Sequence, residues 1–407
     1  PWRIPHHHKA LLHYCRQFGV ALEPFIQLNH NGFIHSTQAF GGKPMRYKEV
    51  ATDFKGHTSE LLAKAVGAKA LDDKLTAEDQ EKLMEALRNW GLLDKNLAYT
   101  SSLKVSAQRG YDQAPGGGRN GAPTPSQIAT LQDVLDPQVW TAMSFYFSYV
   151  MQTTMFQPVG GMDMIGKAFA KNIGKIVTYN AKATKVAQSD KGVTVSYKDV
   201  ATGQMHDVSA DWCVCTIPLS IISQVDMQVS PALKAAMKAV PYGGHVKIGL
   251  EFKRRFWEED DNIYGGHSFT DQTITQLSYP NDKMFGSGPA VLLGAFARDL
   301  AGFQFASMTH EQRIEAALKQ GEVFHPQYRK EYLNGVSVPW SRVPWILGCT
   351  SAWSDANRSA HYKNLVTLDN RVVLAGEHAS YYGGWMEGSI LSGIDAITQI
   401  HERAQAA

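Results

Sequence analysis

The pattern of apolar and polar residues changes twice along the 407-residue chain. In residues 48–150 apolar positions recur at helical spacing, and the clearest predicted helices are Ser59–Val66, Ala77–Trp90 and Asp136–Met151. From Gln157 onward, short apolar runs that are typical of strands lie between further helices. The predicted strands are residues 21–34 in part, Lys182–Ser189, Gly192–Lys198, His206–Ser209, 211–218, Val246–Phe252, Thr273–Tyr279, Ala290–Phe296 and 372–375, and the other predicted helices are 6–18 (opened by Pro5), Ile165–Asn172, Ser230–Val240 and His310–Gln320. This pattern predicts an α/β protein that is α+β in part.

The same pattern divides the chain into successive parts. The predicted parts are residues 1–47, a helical part at 48–150, an α/β part at 151–222, a strand-rich part at 223–340 and a second α/β part at 341–407. Within the helical part, Leu103–Pro125 is rich in polar residues and glycine and is predicted to be a loop. Its residues Gly116–Gly121 match the GxGxxG pattern of dinucleotide-binding proteins. No strand is predicted before this match and prolines follow it, so we interpret it as a surface loop.

Arg371–Arg403 is the most informative stretch. Its apolar run at 372–375 predicts a strand buried on both faces. Gly376 and Glu377 follow, and a loop rich in glycine and aromatic residues precedes a helix. The apolar positions of that helix, at helical spacing, are Ile390, Leu391, Ile394, Ile397 and Ile400. Glycine lets a ligand approach the backbone and the first turn of a helix attracts negative charge, so we predict a site for a large, partly anionic ligand.

Composition limits the class of function. Apolar residues make up 44% of the chain, charged residues 19%, and the net charge is +2. These values are ordinary for a globular enzyme and give no reason to expect a nucleic-acid partner. No apolar stretch reaches the length of a membrane-spanning helix.

Cysteine and histidine give no strong sign of a disulfide framework or a metal site. The four cysteines are few and scattered. Cys213 and Cys215 alternate in a strand-like run, so both should point to one face as reduced core residues. His6, His7 and His8 are consecutive, and on a helix consecutive side chains point in different directions. We therefore expect no metal.

Several motifs together resemble the L-amino-acid oxidases of the flavin-dependent amine oxidase superfamily, most closely the bacterial members with an extended helical insert. Their order and spacing along the whole chain carry the resemblance. The motifs are Arg3-Ile4-Pro5, QPVGGMD at 157–163, YNAKATKV at 179–186, FWEEDDNIYGG at 256–266, SYPN at 278–281, and AGE followed by GGWMEG at 375–388. The resemblance implies a Rossmann-like FAD-binding domain assembled from discontinuous segments (1–47, 151–222 and 341–407). It also implies a mixed-sheet substrate domain (223–340) and a helical domain (48–150).

The resemblance implies roles for residues around the substrate. Arg3 is expected to bind the substrate carboxylate in a bidentate pair, next to Trp2. Tyr279 is expected to place its hydroxyl on the same carboxylate. Lys247 resembles the catalytic lysine that holds a water molecule against flavin N5. Gly384 and Trp385 are expected to wall the substrate side of the flavin.

The same resemblance implies the contacts to FAD. Trp2 and Arg3 are expected to lie beside the cofactor, as are Gly384 and Trp385. Gly376 precedes Glu377, which is expected to accept a hydrogen bond from the ribityl chain. Met386 is expected to donate its backbone amide to the flavin pyrimidine ring. The backbone of Ala183 is expected to contact the adenine.

The implied activity is oxidative deamination of an L-amino acid. Hydride moves from Cα to flavin N5, oxygen reoxidises the flavin to give hydrogen peroxide, and the imine hydrolyses to a 2-oxo acid and ammonia. The family also carries an N-terminal strand–GxGxxG–helix unit that this sequence does not contain. Either the enzyme is processed and a separate N-terminal polypeptide supplies that motif, or this sequence is a fragment. We expect the first, because some members of the family are cleaved into such subunits. The family also implies a homo-oligomer.

Other functions remain open from the sequence. A flavin amino-acid monooxygenase would share the scaffold, an amine or polyamine oxidase would lack the carboxylate clamp, and an inactive binding module needs no reaction at all. Trp353 and Trp385, with small residues at Gly348 and Cys349, fit an apolar or aromatic substrate, but aromatic residues also line pockets for basic side chains. The cellular compartment is not predicted.

Overall fold

The computed structural model describes residues 2–71 and 73–406. In these residues the chain has a mixed α/β fold, as the sequence predicts. Its α-helices are Lys9–Gln17, Tyr47–Gly67, Ala77–Trp90, Leu103–Arg109, Leu131–Val134, Pro137–Ser144, Asp163–Ile173, Leu219–Ile222, Pro231–Lys238, Phe256–Glu259, Asp299–Ser307, His310–Gly321, Tyr328–Glu331, Asp355–Val366 and Met386–Gln405.

The strands of the described residues form five sheets. Four of them, each in spatial order, are the three-stranded sheet Ile4–Pro5, Met155–Pro158 and Leu22–Phe25, the four-stranded sheet Met205–Ala210, Gly192–Asp199, Ala181–Ser189 and Asp226–Met227, the parallel pair Cys213–Cys215 and Val372–Leu374, and the hairpin Tyr111–Gln113 with Thr124–Pro125. The fifth has seven strands, in the order Tyr332–Pro339, His245–Phe252, Ala290–Arg298, Gln276–Ser278, His267–Thr270, Phe33–His35 and Met45–Arg46. The seven-stranded sheet thus joins the N-terminal part of the chain to the strand-rich part.

The seven-stranded sheet has two different faces. Along His245–Phe252, the alternate residues Val246, Ile248 and Leu250 are fully buried in the largest apolar core. Side chains of successive strand residues point to opposite faces, so His245 and Lys247 lie on the other face. One face of this sheet therefore builds the core, while the other is free to line a site.

Some elements differ from their predicted bounds. Pro5 does not open a helix, because Ile4 and Pro5 pair with Phe156 and Met155 as a strand and the helix begins at Lys9. The strand predicted at Thr273–Tyr279 is only Gln276–Ser278, because a turn occupies the residues before it. The helix predicted at Ser59–Val66 is the end of a longer helix, Tyr47–Gly67.

The predicted loop at 103–125 is wrong in its first half. Ser102 caps a helix at Leu103–Arg109 by accepting a hydrogen bond from the Val105 amide. Among its polar residues Ser106 and Arg109 are buried, whereas Lys104 and Gln108 are exposed. Arg109 donates to Asp53 at 2.9 Å, and both side chains are buried. The GxGxxG match does lie in an exposed loop, and residues 116–120 are all exposed.

The cysteine predictions agree with the structure. All four cysteines are free. Cys215 is buried and Cys213 is partly buried, next to the strand Val372–Leu374 with which they pair. No helix of the described residues is long and apolar enough to cross a membrane.

Candidate active site

A cavity of about 210 Å³ lies where the start of the chain, the seven-stranded sheet and the C-terminal glycine-rich loop meet. Its lining residues are Trp2, Arg3, Met151, His245, Lys247, Phe296, Arg298, Cys349, Thr350, Gly383, Gly384 and Trp385. We call it the cationic cavity, because Arg3, Lys247 and Arg298 line it and no aspartate or glutamate of the described residues does. The structure thus brings together Trp2, Arg3, Lys247, Gly384 and Trp385, which the sequence assigned to one site.

The register of two strands places four of these side chains on one face. His245 pairs with Arg298, and Lys247 pairs with Phe296, in the antiparallel strands His245–Phe252 and Ala290–Arg298. Directly opposed residues of antiparallel strands project to the same side of a sheet. All four therefore face the cationic cavity, on the side opposite the apolar core.

Arg3 is a buried cation without a carboxylate partner among the described residues. Its side chain is 6% exposed, and it takes part in none of the ion pairs there. Its guanidinium lies 3.2 Å from His267 Nε2 and 2.9 Å from the Met151 sulfur. Burial, followed by repulsion from Arg298, lowers the pKa of Arg3 to about 9. A bound carboxylate would relieve both effects.

Lys247 is the second cation of the cavity. Its Nζ lies 4.4 Å from the centre of the Trp2 ring and 5.2 Å from that of Phe296. Burial lowers the pKa of Lys247 to about 8. The ammonium group is therefore held by aromatic faces and not by an anion.

The glycine-rich loop is tied together by Glu377. Its carboxylate accepts hydrogen bonds from the amides of Ser351 at 2.8 Å and Gly384 at 2.7 Å, and from the Ser351 hydroxyl at 2.9 Å. These bonds leave one oxygen with spare accepting capacity for the hydroxyl that the sequence predicts there. Glu377 also fixes the position of Gly384 at the rim of the cavity.

The loop can approach a flat ligand because two glycines take conformations that other residues avoid. Gly376 has φ 145° and Gly384 has φ 77°. A Cβ on Gly384 would lie 2.9 Å from Thr350 Oγ1, and one on Gly376 would overlap the His378 ring. The backbone at these positions therefore has no room for a side chain.

The helix Met386–Gln405 begins directly after the loop, with Trp385 as its N-cap residue. The first amides of a helix have no partner within it and attract negative charge. Glu387, which the sequence did not single out, is 3% exposed and accepts hydrogen bonds from the amides of Ala10 and Leu11 at 3.0 and 2.8 Å. It thus fastens the first turn of the helix Lys9–Gln17 to the loop and keeps Arg3 beside Trp385.

The prediction for Tyr279 is contradicted by its position. The side chain is 1% exposed and belongs to the apolar core. Its hydroxyl hydrogen-bonds to the Ser268 hydroxyl at 2.7 Å and to His325 Nε2 at 2.9 Å. The reason is strand alternation, since Ser278 pairs with His267 on the cavity side and Tyr279 points the other way.

Ala183 and Trp353 also lie away from the cationic cavity. Ala183 lines a second cavity of about 260 Å³, with Lys182, Ile217 and Trp345 among its walls. The two cavities share no lining residue. The indole of Trp353 donates to the backbone oxygen of His378 at 2.9 Å, so it packs beneath the loop.

His245, His267 and Arg298 were not predicted from the sequence. All three lie on strands whose alternation could have marked them, but only the pairing of the strands brings them to Arg3. No group of three His, Cys, Asp or Glu side chains within residues 2–71 and 73–406 is arranged to hold a metal ion.

The site fits a flavin. The backbone of Gly376 and Gly384, which we call the glycine cradle, leaves room for a flat ring system. The first turn of the helix Met386–Gln405 attracts negative charge. The Trp2 indole adds a donor, because its Nε1 is buried without a hydrogen-bond partner in the described part of the chain. The fold and the site together define a flavin-dependent oxidoreductase.

The flavin containing amine oxidoreductase model matches residues 1–401, so the chain belongs to that family. It is an oxidoreductase that acts on amines and uses a flavin. YobN of Bacillus subtilis (strain 168), which is named a putative L-amino-acid oxidase, is 27% identical over 425 aligned positions, which cover 98% of this chain and 83% of the relative. The L-amino-acid oxidase of Siganus canaliculatus is 27% identical over 434 residues, with coverages of 98% and 75%. The cyclohexylamine oxidase of Brevibacterium oxydans has the same fold, with a TM-score of 0.63, 16% identity, and coverages of 100% and 87%.

The glycine cradle leads to a first prediction. Gly376→Ala should lower the melting temperature and the flavin content of the purified protein, because the added methyl group overlaps His378. Gly393→Ala is the matched control on the following helix, where a Cβ meets nothing within 4 Å, and it should raise helix stability by about 1 kcal/mol. Thermal melts and the absorbance near the flavin bands measure both effects. Equal behaviour of the two variants would contradict the cradle.

Proposed function

We propose that the protein catalyses FAD-dependent oxidative deamination of L-amino acids to 2-oxo acids, with release of ammonia and hydrogen peroxide. The observation that carries this proposal is the cationic cavity. Buried cations without anions are unfavourable unless a ligand supplies the opposite charge. A simple amine would add another positive charge to Arg3, Lys247 and Arg298, whereas an amino acid brings a carboxylate.

Arg3 is the residue proposed to bind the substrate carboxylate. Its guanidinium can offer two parallel N–H groups, which fixes both the position and the orientation of a carboxylate. His267 contacts Nη1 and Met151 contacts Nη2 of the guanidinium, so little side-chain freedom is lost on binding. A fixed carboxylate in turn orients the Cα–H bond, which is the main service a protein can offer to this reaction.

FAD is proposed as the flavin. When bound, it accepts the hydride of Cα and passes the electrons to oxygen. Gly384, Trp385 and Trp2 would wall its ring, Glu377 would accept from its ribityl chain, and the amide of Met386 would face its pyrimidine end. Ala183 is proposed for the adenine end, with its cavity as the supporting feature.

Lys247 is proposed to hold a water molecule beside the reacting centre. Its burial lowers its pKa to about 8, so the amine is protonated at neutral pH and loses its charge progressively as the pH rises past that value. A proton can therefore be held or released at Nζ within the working range of an enzyme. No carboxylate in the described part of the chain lines the cavity to take this role.

A dinucleotide-binding unit on a separate N-terminal polypeptide is proposed as the partner of this chain. The helix Met386–Gln405 supports this, because part of its predicted apolar face is exposed. Leu391 is 40% exposed, Ile394 49% and Ile397 59%. Branched apolar side chains in such a row are what a covering strand or helix requires. The proposed homo-oligomer has no comparable support.

The binding of the substrate carboxylate by Arg3, which we call the carboxylate clamp, leads to a second prediction. Arg3→Ala should lower kcat/KM for L-amino acids by about 100-fold or more, because a bidentate charge-assisted pair contributes on the order of 3 kcal/mol. Arg3→Lys should recover only part of the loss, since it keeps the charge but not the fork. Peroxide formation, with flavin content measured alongside, gives the values. Arg329→Ala, an exposed arginine paired with Glu315, is the control. Unchanged kinetics in Arg3→Ala would refute the clamp, and an amide product would indicate a monooxygenase.

The exposed helix face leads to a third prediction. Ile394→Ser with Ile397→Ser should weaken binding of a co-expressed polypeptide that carries the dinucleotide-binding motif, with loss of bound flavin, because each change removes apolar area from the contact. Affinity capture and flavin absorbance measure the two effects. Val336→Ser is the control, since this valine is 60% exposed on an edge strand elsewhere. Full retention of partner and flavin in the double variant would contradict the proposal.

A further inference from the structure

We propose that the cationic cavity selects L-amino acids with an acidic side chain, and that Arg298 and His245 bind the side-chain carboxylate. This inference rests on the proposed function, because it assigns Arg3 to the α-carboxylate of the same substrate. It concerns the substrate class, which the activity alone leaves open.

The charges that line the cationic cavity are not balanced. Within residues 2–71 and 73–406, three cationic side chains line the cavity and no acidic side chain does. Outside the lining, Asp299 follows Arg298 in the chain and raises its pKa, and Glu377 accepts hydrogen bonds from the amides of Ser351 and Gly384. One α-carboxylate can neutralise Arg3 alone. A second carboxylate is what the remaining charge calls for.

Arg298 is held in place by contacts that do not compensate its charge. Its guanidinium donates to Gln276 Oε1 at 3.0 Å and lies 5.0 Å from the centre of the Phe296 ring. Both contacts orient the group, but neither cancels its charge. It takes part in no ion pair of the described residues, although burial lowers its pKa. An oriented, uncompensated guanidinium is suited to a carboxylate.

His245 pairs with Arg298 across the two strands. Its side chain is 8% exposed, and Nδ1 is buried with no hydrogen-bond partner in the described part of the chain. A buried polar atom without a partner is unfavourable, so a ligand that accepts from it gains that energy on binding. Arg298 and His245 thus form one donor pair on the wall shared with Lys247.

The aromatic wall of the cavity agrees with this assignment. The Phe296 ring lies 5.0 Å from the Arg298 guanidinium and 4.9 Å from the Trp2 ring, which in turn lies 5.1 Å from the Arg3 guanidinium. Phe296 can therefore contact the methylene groups between the two carboxylate positions. A basic side chain would meet like charges, and a neutral amide of the same shape would leave Arg298 uncompensated.

The experiment compares isosteric substrates in the assembled, flavin-loaded enzyme. We expect kcat/KM for L-glutamate to exceed that for L-glutamine by about tenfold or more, because a site built for a polar group rejects the analogue that lacks it. Arg298→Gln should reduce this ratio to near one, mainly by loss of glutamate activity, and Arg298→Lys should restore part of it. Arg119→Gln, an exposed arginine in the loop at 116–121, should leave the ratio unchanged.

A binding measurement supplies a readout besides turnover. Glutarate should bind the wild-type enzyme at least about tenfold more tightly than butyrate, and Arg298→Gln should remove most of that difference. Isothermal titration measures both affinities. If Arg298→Gln does not fold, the wild-type ratios decide the matter by themselves.

The outcomes separate the two proposals. If L-amino acids are oxidised but glutamine or neutral amino acids equal or exceed glutamate, the acidic preference is refuted and the deaminating activity stands. If no L-amino acid is oxidised while amines are, the proposed function itself fails. A preference for glutamate that survives Arg298→Gln would refute the assignment of Arg298.

Discussion

The burial of positive charge on one face of the seven-stranded sheet is the constraint on which the site depends. Burying a guanidinium or an ammonium group without an anion is unfavourable by several kcal/mol. Here aromatic faces, a histidine and a methionine sulfur surround Arg3 and Lys247 in place of a carboxylate. These contacts hold the side chains in place but leave their charge uncompensated. The cavity is thereby pre-organised for an anion, and binding does not have to displace an existing ion pair.

Two glutamates keep this face opposite the glycine-rich loop. Glu377 joins the segment at 350–351 to Gly384, and Glu387 joins the start of the C-terminal helix to the start of the helix Lys9–Gln17. Both carboxylates bind backbone amides, so their role depends on the path of the chain and not on the side chains they meet. Loop, helix and Arg3 therefore form one unit, although about 380 residues separate them in sequence.

Local sequence patterns and motifs predicted part of the fold and part of the site. The apolar alternation of residues 245–252, the Thr76 cap of Ala77–Trp90 and the buried strand before Gly376 are local features, and the structure agrees with them. Tyr279 failed because a shift of one residue along a strand reverses the face. Arg298 and His245 could not be assigned from the sequence, because their significance arises only when the two strands pair. The helix at 103–109 was missed because its polar sequence resembles a loop, and the local pattern does not show that Arg109 pairs with the buried Asp53.

The binding of the substrate carboxylate by Arg3 is tested most directly by comparing amino acids with the amines that lack only the α-carboxylate. The measurement is the rate of hydrogen-peroxide formation by the flavin-loaded protein with L-phenylalanine against 2-phenylethylamine, and with L-glutamate against 4-aminobutyrate. A cavity built around Arg3 predicts that the amino acid of each pair is oxidised faster than its amine, and L-glutamate faster than L-phenylalanine. Oxidation of the amines at equal or higher rates would contradict the central claim that these buried cations bind the substrate carboxylate.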